Sequence, residues 1–263
     1  MRQYPKLPKS YKDRFPFRLG TTSFIYPAGY YENARRLAPF LDEIELILFE
    51  SRALPEPLEI RRLASLASGY GLKYNVHLPL DVFLGSADSG ERRRSVQVLL
   101  EIFDLAAPLE PTSWTLHVNS GHTGFSSTGL KDWQGRAAES IRQLQKSGIC
   151  AERLAIENLD DPVAWMEAVR EAVDLNVCMD IGHLIVSGND PISFFDRHRD
   201  RIIMIHLHGV AAGRDHQSLD RLPSEELARV AAILKGYQGS VSVEVFGFEA
   251  LSSSLDILDK ICP

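Results

Sequence analysis

The feature that most constrains the fold is an alternation that runs almost the whole length of the chain. Short β-branched runs recur, each followed by an amphipathic segment with helical spacing. The strand-like runs are "FRLGTTS" (17–23), "EIELILFE" (43–50), "KYNVHLP" (73–79), "WTLHVN" (114–119), "RLAIENL" (153–159), "NVCMDIGHL" (176–184), "RIIMIHLHG" (201–209) and "SVSVEVF" (240–246). Between them lie segments punctuated by helix signals. Pro57 and Gly71 bracket one; Asp161-Pro162 and Asp190-Pro191 open two others, and Ser224 is expected to cap a fourth. Strands that alternate with helices imply parallel βαβ units. Eight such units in 263 residues match an α/β (β/α)8 TIM barrel in one domain. A doubly wound open sheet would carry a glycine-rich phosphate turn after its first strand, and "LGTTSFIYP" has a single glycine. Residues 1–15 lack this periodicity and are expected to form an extended N-terminal segment, with the barrel domain spanning 16–263.

Composition narrows the classes. A formal net charge of −6 argues against a broad nucleic-acid footprint, and the basic run "ERRRS" (91–95) is better explained as a solvated helix start. No apolar run approaches the ~18 residues needed to span a bilayer. The N-terminus has charges and prolines where a signal peptide needs an apolar core. A cytoplasmic protein with a small-molecule substrate, and neither a nucleic-acid nor a membrane partner, is expected. Cys150, Cys178 and Cys262 are dispersed and odd in number, so they are expected to be reduced thiols.

In a TIM barrel the C-terminal ends of the strands carry the active site. Here those ends carry His77, His117, Glu157, Asp180, His206 with His208, and Glu244; His183 follows Asp180, and Asp215 and His216 follow strand seven. Alternation along each strand puts His206 and His208 on one face, and Glu244 with Ser242 on one face. Any one of these residues has an ordinary structural explanation. Together they are a ligand set for divalent metal ions, which offset the cost of burying converging carboxylates. Asp180 is expected to be the last inward residue of its strand, with Gly182 turning the chain and His183 on a loop above the barrel mouth. Of Glu45 and Glu50, Glu45 is expected to support the site. Phe24, Tyr26, Asn119 and His122 lie just past strand ends and are candidate substrate contacts.

This pattern resembles the xylose isomerase-like TIM barrels, through "VHLP", "TLHVN", "AIEN", "DIGH", "IHLHG" and "SVEVF". That superfamily includes sugar isomerases, epimerases and endonuclease IV-type enzymes. The resemblance implies one metal on Glu157, Asp180, His206 and Glu244, as in the epimerases. The endonuclease-type members add counterparts of His77, His117 and His183 and an Asp-x-His pair, and hold three zinc ions. Here Asp215 and His216 are adjacent, a departure from that pair. "LGTTSFIYPA", "ELILFES", "VHLPLD", "ENLDD" and "DIGHL" most resemble the cobamide-remodelling phosphodiesterases. The implied activity is metal-dependent hydrolysis of the phosphodiester in the nucleotide loop of adenosylated cobamides. It would use one to three ions, zinc or manganese, with Glu157, Glu244 and His208 as catalytic groups and His216 as an alternative acid. The alternative is a sugar or sugar-phosphate isomerase or epimerase, with Glu157 and Glu244 as a proton relay.

Overall fold

A computed structural model describes residues 4–120, 125–159 and 161–263. Eight parallel strands close into a barrel: β1 (Arg18–Thr22), β2 (Glu43–Ile47), β3 (Lys73–His77), β4 (Trp114–Leu116), β5 (Leu154–Glu157), β6 (Asn176–Asp180), β7 (Ile202–Leu207) and, last in the chain, β10 (Ser240–Val243). β10 pairs with both β1 and β7, which closes the ring. The connecting helices are α1 (Tyr30–Leu37), α2 (Pro57–Tyr70), α3 (Ser89–Ala106), α4 (Ser127–Lys146), α5 (Val163–Val173), α6 (Ile181–Val186), α7 (Pro191–His198), α8 (Ser224–Leu234) and α9 (Phe248–Ile261). The expected (β/α)8 barrel is the observed architecture. Among the described residues no helix is long and apolar enough to cross a membrane.

The two faces of each strand have opposite chemistry. Leu19, Ile44, Leu46, Val76, Leu116, Ile156, Val177, Ile205 and Val241 are fully or almost fully buried in the apolar layer that also holds the helices' inner faces. The barrel interior is polar above a small plug of Ala155, Cys178 and Met204. Glu43, Glu45, Asn75, Thr115, Asp180, His206 and Ser242 are all 0% exposed. Contacts between strands that are not neighbours show that Glu45, His206 and Ser242 point inward: His206 on β7 reaches Glu45 on β2, and Ser242 on β10 reaches the same Glu45.

Residues 4–15 lie against the barrel's flank. Leu7, Tyr11 and Phe15 join the main core, Tyr11 N–H donates to Phe40 O at 2.8 Å, and Lys9 and Arg14 pair with Asp259 on α9.

Several local expectations need correction. An antiparallel hairpin, β8 (Gly209–Ala211) with β9 (Arg214–Gln217), follows β7 where a plain loop was expected. Its turn uses Ala212 and Gly213, both at positive φ. Asp161 does not cap α5. Its carboxylate instead accepts from Ser120 N and Oγ at 2.7 and 2.8 Å, tying the loop after β4 to the loop after β5. Ser224 begins α8 without a side-chain cap. Asp190 does cap α7, accepting from Ser193 N.

Candidate metal centre

β6 ends at Asp180, but the chain does not then loop out. It enters α6 at once, so His183 sits in the first turn of a helix. The cause is Asp180 itself: its carboxylate accepts the His183 N–H at 2.7 Å and caps the helix. Asn158, one residue past β5, holds the same point from below. Its amide accepts from Asp180 N and donates to Asp180 O, both at 2.9 Å.

Gly182 has a different job from the turn expected of it. A Cβ there would lie 2.0 Å from Cε1 of His208. The missing side chain is the space that the His208 ring occupies.

At the centre of the mouth, Glu157 is 3% exposed and faces three imidazoles. Its Oε1 is 2.6 Å from His206 Nδ1; its Oε2 is 2.5 Å from His117 Nε2 and 3.3 Å from His77 Nε2. His77 Nδ1–H donates to Leu78 O at 3.0 Å, which fixes the ring so that Nε2 faces Glu157. Ligand atoms of Glu157, Asp180, His206 and Glu244 all come within 4.8 Å of one another, and so do those of His77, Glu157 and His206. Glu157 therefore belongs to two adjoining groups.

A third group, His183, His208 and His216, lies beside them. Asp215 stands at its rim, with Oδ2 3.9 Å from His183 Nε2 and 4.0 Å from His216 Nε2. Adjacent strand residues ordinarily face opposite sides. His216 escapes this through a left-handed backbone, φ 49°, so it can join His183 and His208 beside Asp215.

The electrostatics follow from burial and pairing. Burial alone would raise Glu157, but the imidazoles of His206 and His117 hold it well below the usual carboxylate range. Glu244 is likewise held low, mainly by His206. Burial works against charge on His206, yet Cys178, Glu45, Glu157 and Glu244 together keep it well above its ordinary value. His208 faces Asp180 through Nε2 at 3.2 Å, while its Nδ1 accepts the His216 N–H, which keeps the ring neutral. His117 is shifted down by burial.

A raised folded pKa stabilises fully below the unfolded value and ceases to do so as pH rises through the folded one. The metal-free protein should therefore lose stability as pH rises above 6.5 and His206, whose two ring nitrogens both face carboxylates, gives up its second proton. Glu157 and Glu244 carry the opposite sign. Their contribution is present above the unfolded carboxylate value and fades only in strong acid. Melting curves in chelator from about pH 2 to about pH 10 test both limbs; a flat profile above pH 7 would contradict the His206 assignment.

The donor set fits a divalent ion. Three carboxylates and an imidazole converge in a buried space, and Glu244 Oε2 is buried with no hydrogen-bond partner. His206 is oriented for such a role by Glu45. Glu45 Oε1 accepts from His206 Nε2 at 2.8 Å, and its Oε2 accepts from Ser242 Oγ at 2.6 Å. That leaves Nδ1 as the nitrogen facing Glu157 and Glu244. A carboxylate behind a ligating histidine typically contributes 10–100-fold in metal affinity. Glu45→Gln should weaken metal binding by about that factor, read by competition with a chelating dye. Unchanged affinity would remove Glu45 from the centre. Ser242 was not singled out from the sequence; its only signal was a shared face with Glu244.

Other sequence candidates fall differently. His208 was assigned as an acid, but it is 0% exposed and both ring nitrogens are engaged. Nδ1 accepts from His216 N–H at 2.9 Å, and Nε2 faces Asp180. Its place is structural, linking β6 to the hairpin. Tyr26 does not line the mouth. It is 3% exposed, donates to Pro5 O at 3.0 Å and packs on Tyr4 and Phe248. Phe24 is half-buried at the mouth and Asn119 is exposed beyond β4. His122 lies outside the described residues. Glu50 is exposed past the end of β2, away from the buried Glu45.

The description of the xylose isomerase-like TIM barrel family matches residues 35–261. No curated protein sequence matches the chain. Among solved structures, a D-tagatose 3-epimerase-like protein superposes with a TM-score of 0.74 at 18% identity, covering 93% of this chain and 97% of that one. The 3-keto-D-glucoside 4-epimerase YcjR from E. coli gives 0.72 at 15% identity, covering 93% and 98%. SacUVDE gives 0.69 at 15% identity, covering 93% and 99%. These likenesses are of fold, while the family match spans most of the chain and includes every residue of the centre: the protein belongs to the xylose isomerase-like TIM barrel family.

Proposed function

We propose that this protein is a metal-dependent phosphodiesterase that opens the nucleotide loop of adenosylated cobamides. The observation that carries the reading is the excess of imidazoles around a shared carboxylate. Glu157 faces His77 and His117 on one side and joins Asp180, His206 and Glu244 on the other. Proton transfer next to a carbonyl needs only the second group. Charge neutralisation on a phosphodiester is served by adjoining cation sites that share one ligand.

Glu157, Asp180, His206 and Glu244 would hold one divalent ion, and His77 and Glu157, with His117 beside Glu157, a second. His183 and His216, with Asp215, would hold a third. Zinc or manganese suits this set. Bound there, the metal supplies Lewis acidity that lowers the pKa of water and offsets charge on the phosphate. The chain's own residues do the rest. Glu157, kept ionised by its histidines, holds a water by accepting its hydrogen bond. Water adds to phosphorus and releases one proton to bulk water, the P–O bond to the leaving group breaks, and the departing oxygen takes up a proton. When the third position is vacant, His216, partly exposed at the mouth, is placed to provide that proton.

The rival reading is a sugar isomerase or epimerase. Its support is that Glu157 and Glu244 both approach His206 Nδ1, at 2.6 and 3.2 Å, as a two-carboxylate relay around one ion requires. The likeness of fold to the D-tagatose 3-epimerase-like protein and to YcjR favours it too. Incubating the protein with an adenosylated cobamide in a series of zinc, manganese, iron and cobalt separates the two. Release of a corrinoid lacking its nucleotide base supports the phosphodiesterase. No cleavage with any metal, together with interconversion of ketohexoses, would overturn it.

A further inference from the structure

Apolar side chains are not spread evenly over this surface. Among the described residues, seven large hydrophobic side chains are exposed, and four of them, Phe49, Leu80, Phe83 and Phe246, stand on loops after the C-terminal ends of β2, β3 and β10. These loops rim the metal centre. Phe49 is 38% and Phe246 42% exposed. Isolated exposed hydrophobics need no explanation, but a contiguous group beside a reactive centre does.

Phe49 and Phe246 are contiguous with each other and with the half-buried Phe24. Ring centroids run from Phe24 to Phe49 at 4.9 Å and from Phe49 to Phe246 at 5.9 Å. Phe246 then meets His216 edge-on at 5.2 Å. Tyr30 props Phe24 from behind at 5.6 Å, with its hydroxyl donating to Ile47 O. The result is a row of three phenyl rings that starts at an imidazole of the third histidine group and leads outward across the mouth.

We propose that this row is a substrate-binding shelf for a flat ring system with an extended apolar face, wider than a single sugar ring. The inference rests on the phosphodiesterase reading and deepens it, by assigning the shelf to the macrocycle of the corrinoid. A monosaccharide presents one small apolar face and is covered by one aromatic ring. Three rings in succession offer far more area than it can use. A macrocycle lying on the shelf extends from Phe24 to Phe246, and the contact between Phe246 and His216 places its edge beside the centre. The nucleotide loop that hangs from such a ring then reaches the carboxylates. Burial of an apolar face on phenyl rings is favourable without any charged partner, and none is supplied by the three side chains.

The test separates binding of the ring from cleavage of the loop. Cobinamide is the probe, because it has the macrocycle and lacks the phosphodiester; D-tagatose is the comparison. Both are titrated against the manganese-loaded protein and against Phe49→Ala and Phe246→Ala, whose exposed positions keep the fold, as melting curves verify. Cobinamide should bind to the wild type, each variant should weaken it about tenfold, and the double variant more. D-tagatose binding should be little changed. Three outcomes overturn the shelf: no cobinamide binding, binding unaltered in both variants, or variants that change only self-association in sedimentation. If cobinamide binding falls as expected while intact adenosylated cobamide is not cleaved, the shelf stands and the phosphodiesterase reading fails.

Discussion

Glu157→Gln is expected to remove metal binding at two adjoining sites and to lower turnover on the order of a thousandfold, the equivalent of several kcal/mol of transition-state stabilisation. The substitution keeps size and shape, so the effect isolates charge and hydrogen-bond polarity. In the native chain Glu157 accepts from His206 through Oε1 and faces His117 and His77 through Oε2. A glutamine retains one acceptor oxygen, but its amide nitrogen turns donors toward at least one imidazole. The charge that holds His206 protonated in the metal-free protein is reduced at the same time. Removing one partner of a buried charged group costs about 3–5 kcal/mol. In a chain of this length that is a melting point lower by roughly 10 °C. Metal content after dialysis and melting in chelator read the two effects independently. If the variant kept its full metal content, Glu157 would not be shared between sites.

The second large effect comes from a residue with no functional group. Gly182→Ala should destabilise the protein by ~3 kcal/mol or more, at the upper end of overpacking costs, and disrupt the third histidine group. The new methyl would lie 2.0, 2.3 and 2.6 Å from Cε1, Nδ1 and Nε2 of His208. A flexible side chain could move aside. His208 cannot do so cheaply, because Asp180 holds Nε2 and the His216 N–H holds Nδ1. Pushing the ring away would free the β8–β9 hairpin that carries His216. Gly236→Ala is the control, since a Cβ there meets nothing within 4 Å. Equal melting points for the two variants would show that His208 has room to shift.

The barrel and most of the centre were legible for one reason. A strand buried on both faces should be apolar on both. A strand that instead ends in His, Asp or Glu reveals an interior that something must compensate. Because side chains alternate, the inward positions of Glu45, Glu157, Asp180, His206 and Glu244 follow once the helices are assigned to the outer face. Asp180 as the last residue of β6 follows from the same argument.

What escaped the sequence depended on partners distant along the chain. Asp161-Pro162 reads as a cap, but the Ser120 backbone and hydroxyl compete for the carboxylate and win. Tyr26 is in the right place after β1 to line a mouth, until Pro5 and Phe248 claim its hydroxyl and ring. His208 shares a face with His206 and looked equally reactive. Only the return of the hairpin, which brings the His216 N–H onto its ring, turned it into a structural link. Phe49 and Phe246 are separated by most of the chain, and nothing local marks them as neighbours.

By itself, the sequence determined the barrel and the inward acids and imidazoles, because hydrophobic periodicity and alternation are local properties that each strand carries alone. Tertiary structure alone decided which of those groups meet. It made Glu157 common to two clusters, stationed Glu45 behind His206, emptied Gly182 for an imidazole and aligned three phenylalanines beside His216. Each of those outcomes depends on contacts across the barrel or between its loops, and closure of the sheet, not the order of residues along it, sets those distances.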